Sequence, residues 1–232
     1  MTNKSSQSFE CQYCKKAFKK ETTLASHLCE PKRRWQQEKE TGVQFGLKAY
    51  VRFYEYTQSS SKPKSYTDFV TSPYYIAFVK FGRHCVSIKC VNVVKFTAWL
   101  LKHNKKIDDW TKDSLYQEWL YDYLRTEAPQ DSLERALKQM QDYADKTEGM
   151  ASFSDYFRYG NANRICYHIS TGRISPWIIY NCDSGIQFLS ELGEEQAGMV
   201  MQWIDPDFWS RTFRQLPADT AWVKNILKEA GL

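Results

Sequence analysis

Three cysteines and one histidine lie within 19 residues near the start of the chain, at Cys11, Cys14, His27 and Cys29. Thiolate sulfur and imidazole nitrogen are the ligands that zinc prefers in structural sites, where four of them surround the ion. Two cysteines separated by two residues are typical of a tight turn that points both sulfurs at one metal. The spacing therefore predicts that these four residues bind one Zn²⁺ ion. Since so short a segment has almost no core, zinc binding is expected to supply its folding free energy.

Three apolar residues accompany the ligands: Phe9, Phe18 and Leu24. Together with the cysteines, they make the segment from Phe9 to His27 resemble a zinc finger of the Cys2His2 type. The resemblance implies a ββα fold, in which a β-hairpin carries the two cysteines and a helix carries the histidine. The three apolar side chains are then expected to form the small core of that finger.

The fourth ligand departs from this family, which places it three to five residues after the first histidine. Cys29 follows His27 by only two residues, and positions i and i+2 of a continuous helix point in nearly opposite directions. The helix is therefore expected to unwind directly after His27, and Pro31 supports an ending there because it disfavours helical geometry at the residue before it. Glu30 is the alternative ligand, but thiolate suits zinc better, so Cys29 is preferred.

The net charge of +5 is concentrated at the N-terminal end, where residues 1–40 contain nine Lys or Arg residues against five Glu residues. A localised basic region favours an acidic partner, of which nucleic acid is the commonest, although a solvated lysine-rich surface would have the same composition. The candidate phosphate contacts are Lys15, Lys16, Lys19, Lys20, Lys32, Arg33 and Arg34.

Base-specific reading by this finger is not expected. By analogy with the family, the base-reading positions would be Lys20, Thr23 and Ser26, and none of these offers the bidentate contacts of Arg, Asn or Gln. A single finger also covers only about 3 bp. The basic residues instead suit contacts with the phosphate backbone, which carry no sequence information.

The remainder of the chain predicts a mainly α fold, with an irregular multi-helix domain after the finger. Helical spacing of apolar residues, together with serine, asparagine and proline start signals, defines the segments. We expect a finger over 1–34, a helical arm and linker over 35–62, and an all-helical domain over 63–232 that folds without the finger. The predicted helices are Arg33 to Gln58, Tyr74 to His84, one starting at Asn92, Asp108 to Thr126, Pro129 to Lys146, Trp177 to Cys182, Asp207 to Phe213, and Pro217 to Ala230.

No catalytic site is predicted. The pairs His84–Cys85 and Cys166–His168 lack a third group that could complete a nucleophilic site, and core thiols with hydrogen-bonded histidines explain them better. Phosphate-binding loops, dinucleotide-binding glycine motifs and zinc-protease helices are all missing from the sequence. The segment Ser170 to Gly185 is the most unusual outside the finger. It could form a binding groove for peptide or nucleic acid, although two helix caps and a packed turn account for it more simply.

The run from Cys29 to Arg34, together with the four ligands and the aromatic helical remainder, resembles small accessory proteins of T4-type tailed bacteriophages that begin with such a finger. The resemblance implies a role in phage replication, recombination or transcription. A non-enzymatic nucleic-acid-binding protein is the first hypothesis, and a module that docks onto a phage or host protein is the second. The sequence shows neither a membrane span nor a signal peptide, so the expected location is the cytoplasm of the infected bacterium.

Overall fold

A computed structural model of the chain describes residues 8–58, 63–149 and 152–232. Its fold is mainly α, with a single two-stranded hairpin among the described residues. The chain forms two compact units, Met1–Leu115 and Tyr116–Leu232. Within the described ranges, no helix is both long enough and apolar enough to cross a lipid bilayer.

The first unit opens with the hairpin and continues as six helices and a 3-10 turn in its described part. Strands β1 (Phe9–Glu10) and β2 (Ala17–Phe18) pair antiparallel, with Phe9 opposite Phe18. The helices that follow are α1 (Glu21–Ser26), α2 (Glu30–Gln36), α3 (Thr41–Gln58), α4 (Tyr66–Thr71), α5 (Tyr75–Ser87) and α6 (Val93–Lys102), and then a 3-10 turn over Ile107–Asp109.

Helices α3 and α5 pack unusually closely because glycines line their contact. A Cβ atom added to Gly46 would lie 2.7 Å from the carbonyl oxygen of Phe78, and one added to Gly82 would collide with the backbone of Gly42 and Gly46. The apolar stripe of α3 is therefore buried against α5 and α6 rather than being the face of a separate arm.

Aromatic rings fill the interior of the first unit. Trp110, at 1% exposure, donates its indole N–H to the carbonyl of Lys105 at 2.9 Å. Phe78 and Phe81 both meet the Trp110 ring edge-on, with centroids 5.9 and 5.2 Å away. A buried tryptophan with its polar atom satisfied contributes a large apolar area without an unpaired donor.

The second unit is entirely helical in its described part. Helix α7 (Asp113–Thr126) leads into it from the first unit. The other helices are α8 (Pro129–Ala144), α9 (Tyr156–Tyr159), α10 (Ala162–Ser170), α11 (Pro176–Ile179), α12 (Asp183–Ser190), α13 (Glu194–Ile204), α14 (Pro206–Gln215) and α15 (Pro217–Glu229), with a 3-10 turn over Phe153–Asp155.

The short helix α11 lies at the centre of the second unit and packs against α8, α12 and α15. Its Trp177 ring is 2% exposed and contacts Trp209 and Phe213 of α14, with centroids 6.1 and 5.1 Å away. The part of the unusual segment that forms α11 is therefore core, as the simpler interpretation of Ser170 to Gly185 predicts.

Side-chain caps and a glycine define several helix boundaries, among them the predicted start at Asn92. The Asn92 side chain accepts a hydrogen bond from the Lys95 amide and caps α6, as expected for an N-cap. Asp205 does the same for α14, in which Pro206 is the first residue. Gly172, with φ of 72°, follows the end of α10 in the left-handed conformation that glycine adopts readily.

The predicted helix from Arg33 to Gln58 is wrong as a single element, because residues 37–40 interrupt it. At that point the Arg83 guanidinium donates two hydrogen bonds, of 2.6 and 2.8 Å, to the Glu40 carboxylate. This pairing holds the pKa of Glu40 below its usual value. The break between α2 and α3 thus lies where Glu40 pairs with Arg83, which is 43 residues away in the sequence. Local helix propensity does not encode such a pairing.

The compact units differ from the predicted division into 1–34, 35–62 and 63–232. Helix α3 packs along α5 and α6, so chain on both sides of residue 62 belongs to one unit. Four residues of the predicted linker, 59–62, lie outside the described residues, as do residues 1–7 of the predicted finger.

The α3–α5 contact leads to a stability prediction. Gly82→Ala should lower the free energy of unfolding by about 1–3 kcal/mol, because the new methyl group overpacks the helix crossing. The matched control is Gly198→Ala in α13, where a Cβ meets no atom within 4 Å. That change should stabilise the protein by roughly 0.5–1 kcal/mol through helix propensity. Chemical denaturation measures both, and equal effects of the two substitutions would contradict the close packing.

Candidate metal centre

The hairpin turn places Cys11 and Cys14 on the same side of the chain. The amide of Cys11 donates to the carbonyl of Lys16 at 2.9 Å, and the amide of Lys15 donates to the carbonyl of Cys11 at 2.8 Å. Lys15 occupies the left-handed region with φ of 60°, which allows the chain to reverse within four residues. The tight turn predicted from the Cys-x2-Cys spacing is therefore present.

Helix α1 ends at Ser26, so His27 and Cys29 lie in extended chain. His27 has φ of −70° and ψ of 123°, and Cys29 has φ of −88° and ψ of 163°. Alternate side chains of an extended segment point to the same side, which is the arrangement that residues i and i+2 need to share a ligand. The expected unwinding after the histidine is confirmed.

The four predicted ligands converge. The Cys14 sulfur lies 3.2 Å from His27 Nε2, the Cys11 and Cys29 sulfurs are 3.9 Å apart, and all four donor atoms lie within 4.8 Å of one another. Tetrahedral zinc with ordinary bond lengths would separate two sulfurs by about 3.8 Å and a sulfur from a nitrogen by about 3.5 Å. The cluster can therefore hold a metal ion, and its size and donor atoms are compatible with zinc.

Glu30, the alternative fourth ligand, is engaged elsewhere. Its carboxylate accepts a hydrogen bond from Arg34 Nε at 3.0 Å and lies 3.9 Å from an Arg33 nitrogen. Glu30 is also outside the group of converging donor atoms. The geometry therefore favours Cys29 as the fourth ligand.

The two hairpin thiols have pKa values shifted in opposite directions. The backbone amide of Cys14 donates to the Cys11 sulfur and is the main reason that the pKa of Cys11 is lowered. A hydrogen bond from the Lys16 amide lowers the pKa of Cys14 in the same way. Burial and the neighbouring sulfurs of Cys11 and Cys29 together outweigh it, so the pKa of Cys14 is raised. Because adjacent thiolates repel, full deprotonation of the cluster requires a cation among them.

Side chains of the hairpin and of α2 support the histidine ligand. The Phe18 ring lies 4.7 Å from the His27 ring, and Lys32 Nζ donates to the His27 carbonyl at 3.0 Å. Phe9, Phe18 and Leu24 are half-buried, and α1 packs against both strands. The Phe18 ring thus contacts the imidazole directly, and Lys32 holds the backbone of the histidine, as outer residues around a metal do.

No protein-family model, curated protein or solved structure matches this chain. The chemistry of the cluster is therefore inferred from its own donor atoms and distances.

The seven predicted phosphate contacts fall into two groups. Lys15, Lys16, Lys19 and Lys20 are exposed on the hairpin and on the link to α1. Lys15 lies 4.0 Å from the Glu10 carboxylate, but both side chains are more than half exposed, so the pair is weak. The second group lies on α2, where the Lys32 ammonium donates a hydrogen bond to the His27 carbonyl and the Arg33 side chain is 55% exposed.

Arg34 differs from the other basic residues because it is a structural contact. Its side chain is only 19% exposed, donates to Glu30 and to the Val70 carbonyl, and lies 4.6 Å over the Tyr75 ring. Tyr66 in turn donates to the Arg34 carbonyl at 2.6 Å. A phosphate contact by Arg34 would have to compete with these interactions.

The Cys166–His168 pair has the core role that the sequence favours, whereas His84 is only part-buried and its Nε2 has no hydrogen-bond partner. His168 is 2% exposed and its Nδ1 lies 2.6 Å from the Tyr156 hydroxyl. Burial raises the pKa of Cys166, which disfavours a thiolate at this site. For Cys85, a hydrogen bond with the Cys90 side chain, followed by burial, raises the pKa. Neither thiol has the lowered pKa of a nucleophile.

The metal cluster predicts different outcomes for two neighbouring substitutions. Cys29→Ser should weaken metal binding by more than tenfold, because it removes a donor atom from the cluster. Glu30→Gln, the matched control, should leave the metal content at one ion per chain. Elemental analysis of each variant after dialysis against a competing chelator would measure the difference. The opposite ranking would make Glu30 the ligand.

Proposed function

We propose that the N-terminal segment is a structural zinc finger in which Cys11, Cys14, His27 and Cys29 bind one Zn²⁺ ion. Four protein ligands fill a tetrahedral zinc site and leave no position for a substrate or a reactive water, which distinguishes structural from catalytic zinc. The half-buried core of Phe9, Phe18 and Leu24 is too small to hold the hairpin against α1 without the metal.

The finger serves a non-enzymatic nucleic-acid-binding protein. The observation that carries this proposal is the pair Lys19 and Lys20, which are exposed and form no ion pair with any carboxylate that the structure describes. Lys15, Lys16 and Arg33 add exposed positive charge on the same small unit. Clustered cations without internal partners attract the phosphate backbone and release its counterions.

Binding is expected to be nearly independent of base sequence. The Ser26 hydroxyl, one of the three base-reading positions by analogy, donates to carbonyls of Thr22 and Thr23 and so lies against its own helix. Lys20 is the extended residue that precedes α1, and Thr23 has a short side chain. Such a surface suits contacts with phosphates rather than with base edges.

The biological setting follows from the resemblance to accessory proteins of T4-type bacteriophages. A sequence-neutral nucleic-acid binder of this kind fits phage replication, recombination or transcription in the cytoplasm of the infected bacterium. In this setting the finger anchors the protein on nucleic acid while the helical remainder contacts other components.

A second candidate function is protein docking through the finger. A pocket of about 360 Å³ lies between the hairpin turn and α1, lined by residues that include Tyr13, Leu24 and Lys32. Beside the ligands, Leu28 is 52% exposed and offers an apolar side chain to a partner. An apolar or acidic side chain of a partner protein would fit this pocket.

Salt dependence tests the nucleic-acid proposal. A plot of the logarithm of the binding constant against the logarithm of salt concentration has a negative slope. Its magnitude should decrease by about 0.7 on single-stranded DNA, or about 0.9 on double-stranded DNA, for each phosphate contact removed. Lys19→Gln with Lys20→Gln should therefore lower this magnitude by roughly 1.4 to 1.8 if both touch phosphate. Fluorescence anisotropy with oligonucleotides of different sequence measures both the slope and the sequence dependence.

The control is a double variant with the same loss of charge in the second unit, Lys138→Gln with Lys224→Gln, which should leave the slope unchanged. Zinc content should stay at one ion per chain in both double variants, since no ligand is altered. Absence of binding by the unaltered protein at low salt, with zinc present, would reject the nucleic-acid proposal and favour docking onto a protein.

A further inference from the structure

Shortly after helix α10 lies a buried arginine, Arg173, whose two terminal guanidinium nitrogens have no hydrogen-bond partner. The chain leaves the helix through Gly172, and the Arg173 amide donates to the His168 carbonyl at 2.8 Å. Arg135 Nε donates to the Gly172 carbonyl at 2.7 Å, which holds the turn from the other side. The backbone of Arg173 is therefore fixed, and its side chain is directed by the fold rather than by solvent.

The Arg173 residue is 5% exposed, and its Nη1 and Nη2 atoms are buried with no hydrogen-bond partner. A buried charge normally requires a counter-charge, and an unpaired one is strongly destabilising. The nearby Arg135 shows the usual solution, because its guanidinium pairs with both oxygens of the buried Glu127 carboxylate. Arg173 has no such carboxylate.

A second guanidinium lies near the same tyrosine ring. Arg164 on α10 lies 5.7 Å from the centroid of the Tyr167 ring, and Arg173 lies 5.1 Å from it. Among the residues that the structure describes, neither arginine forms an ion pair with a carboxylate. Burial raises the pKa of Tyr156, and the positive charges of Arg164 and Arg173 oppose this shift, so both cations act on one buried hydroxyl.

We propose that Arg164 and Arg173 form a binding site for the phosphate group of a small ligand, either inorganic phosphate or a phosphate monoester. A guanidinium presents two parallel N–H donors that match two phosphate oxygens, and two guanidiniums match the double negative charge. The Tyr167 side chain, which is 41% exposed, packs against the Arg173 guanidinium, so a ligand would reach the buried nitrogens only if this ring moved. This site lies in the second unit and is independent of the proposed zinc finger.

Titration calorimetry of the full chain with inorganic phosphate tests the proposal. Chloride should maintain constant ionic strength in a phosphate-free buffer, so that general screening is the same at every point. We expect saturable binding of one phosphate per chain. Arg173→Lys should weaken binding by more than tenfold, because an ammonium loses the two-pronged contact, and Arg164→Gln should weaken it several-fold.

Arg211→Gln provides the control, since it removes an equal charge from an exposed position of α14 in the same unit. Its phosphate affinity should stay within twofold of that of the unaltered chain. If Arg173→Lys fails to fold, the exposed Arg164→Gln variant decides the question alone. No saturable phosphate binding by the unaltered chain would overturn the proposal, and so would an affinity that Arg164→Gln leaves unchanged.

Discussion

The convergence of three sulfurs and one imidazole nitrogen is the constraint from which the N-terminal structure follows. The donor atoms approach within 4.8 Å only because α1 stops at Ser26 and leaves His27 and Cys29 in extended chain. Had the helix continued, Cys29 would point away from the hairpin sulfurs. A new helix begins directly afterwards with Pro31 in its first turn, where a proline costs least. The position of α2 is thus a consequence of the ligand geometry.

The restart of the helix also connects the ligand segment to the rest of the first unit. Helix α2 carries Arg34, which contacts Val70 and Tyr75, and Trp35, whose ring meets Tyr66 edge-on at 5.3 Å. These contacts are short-range and directional, so they depend on where α2 begins. A cation in the cluster would therefore stabilise more than the hairpin, because Cys29 directly precedes α2, the helix that carries Arg34 and Trp35. The predicted separation of finger and arm overlooks this link.

The sequence was most informative where structure depends on neighbours within a few residues. The Cys-x2-Cys turn, the break after His27 and the caps at Asn92 and Asp205 follow from local spacing and side-chain hydrogen bonds. It was least informative where a distant residue decides the outcome. Glu40, the residue before α3, pairs with Arg83, and the glycines of α3 lie at a close crossing with α5. Helix propensity is a property of single residues and therefore predicts neither of these long-range contacts.

Three arginines show why charge in a sequence is a poor guide to function until burial is known. Arg34 lies in the basic run beside the ligands, yet its guanidinium contacts the Glu30 carboxylate, the Val70 carbonyl and the Tyr75 ring. Arg135 is buried and paired with Glu127, so its charge is satisfied within the fold. Arg173 comes from a segment with no basic cluster, yet it has two buried nitrogens that lack an acceptor. The fold supplies a counter-charge for Arg135, whereas no carboxylate among the described residues pairs with Arg173, and the proposed phosphate ligand would supply the missing acceptor.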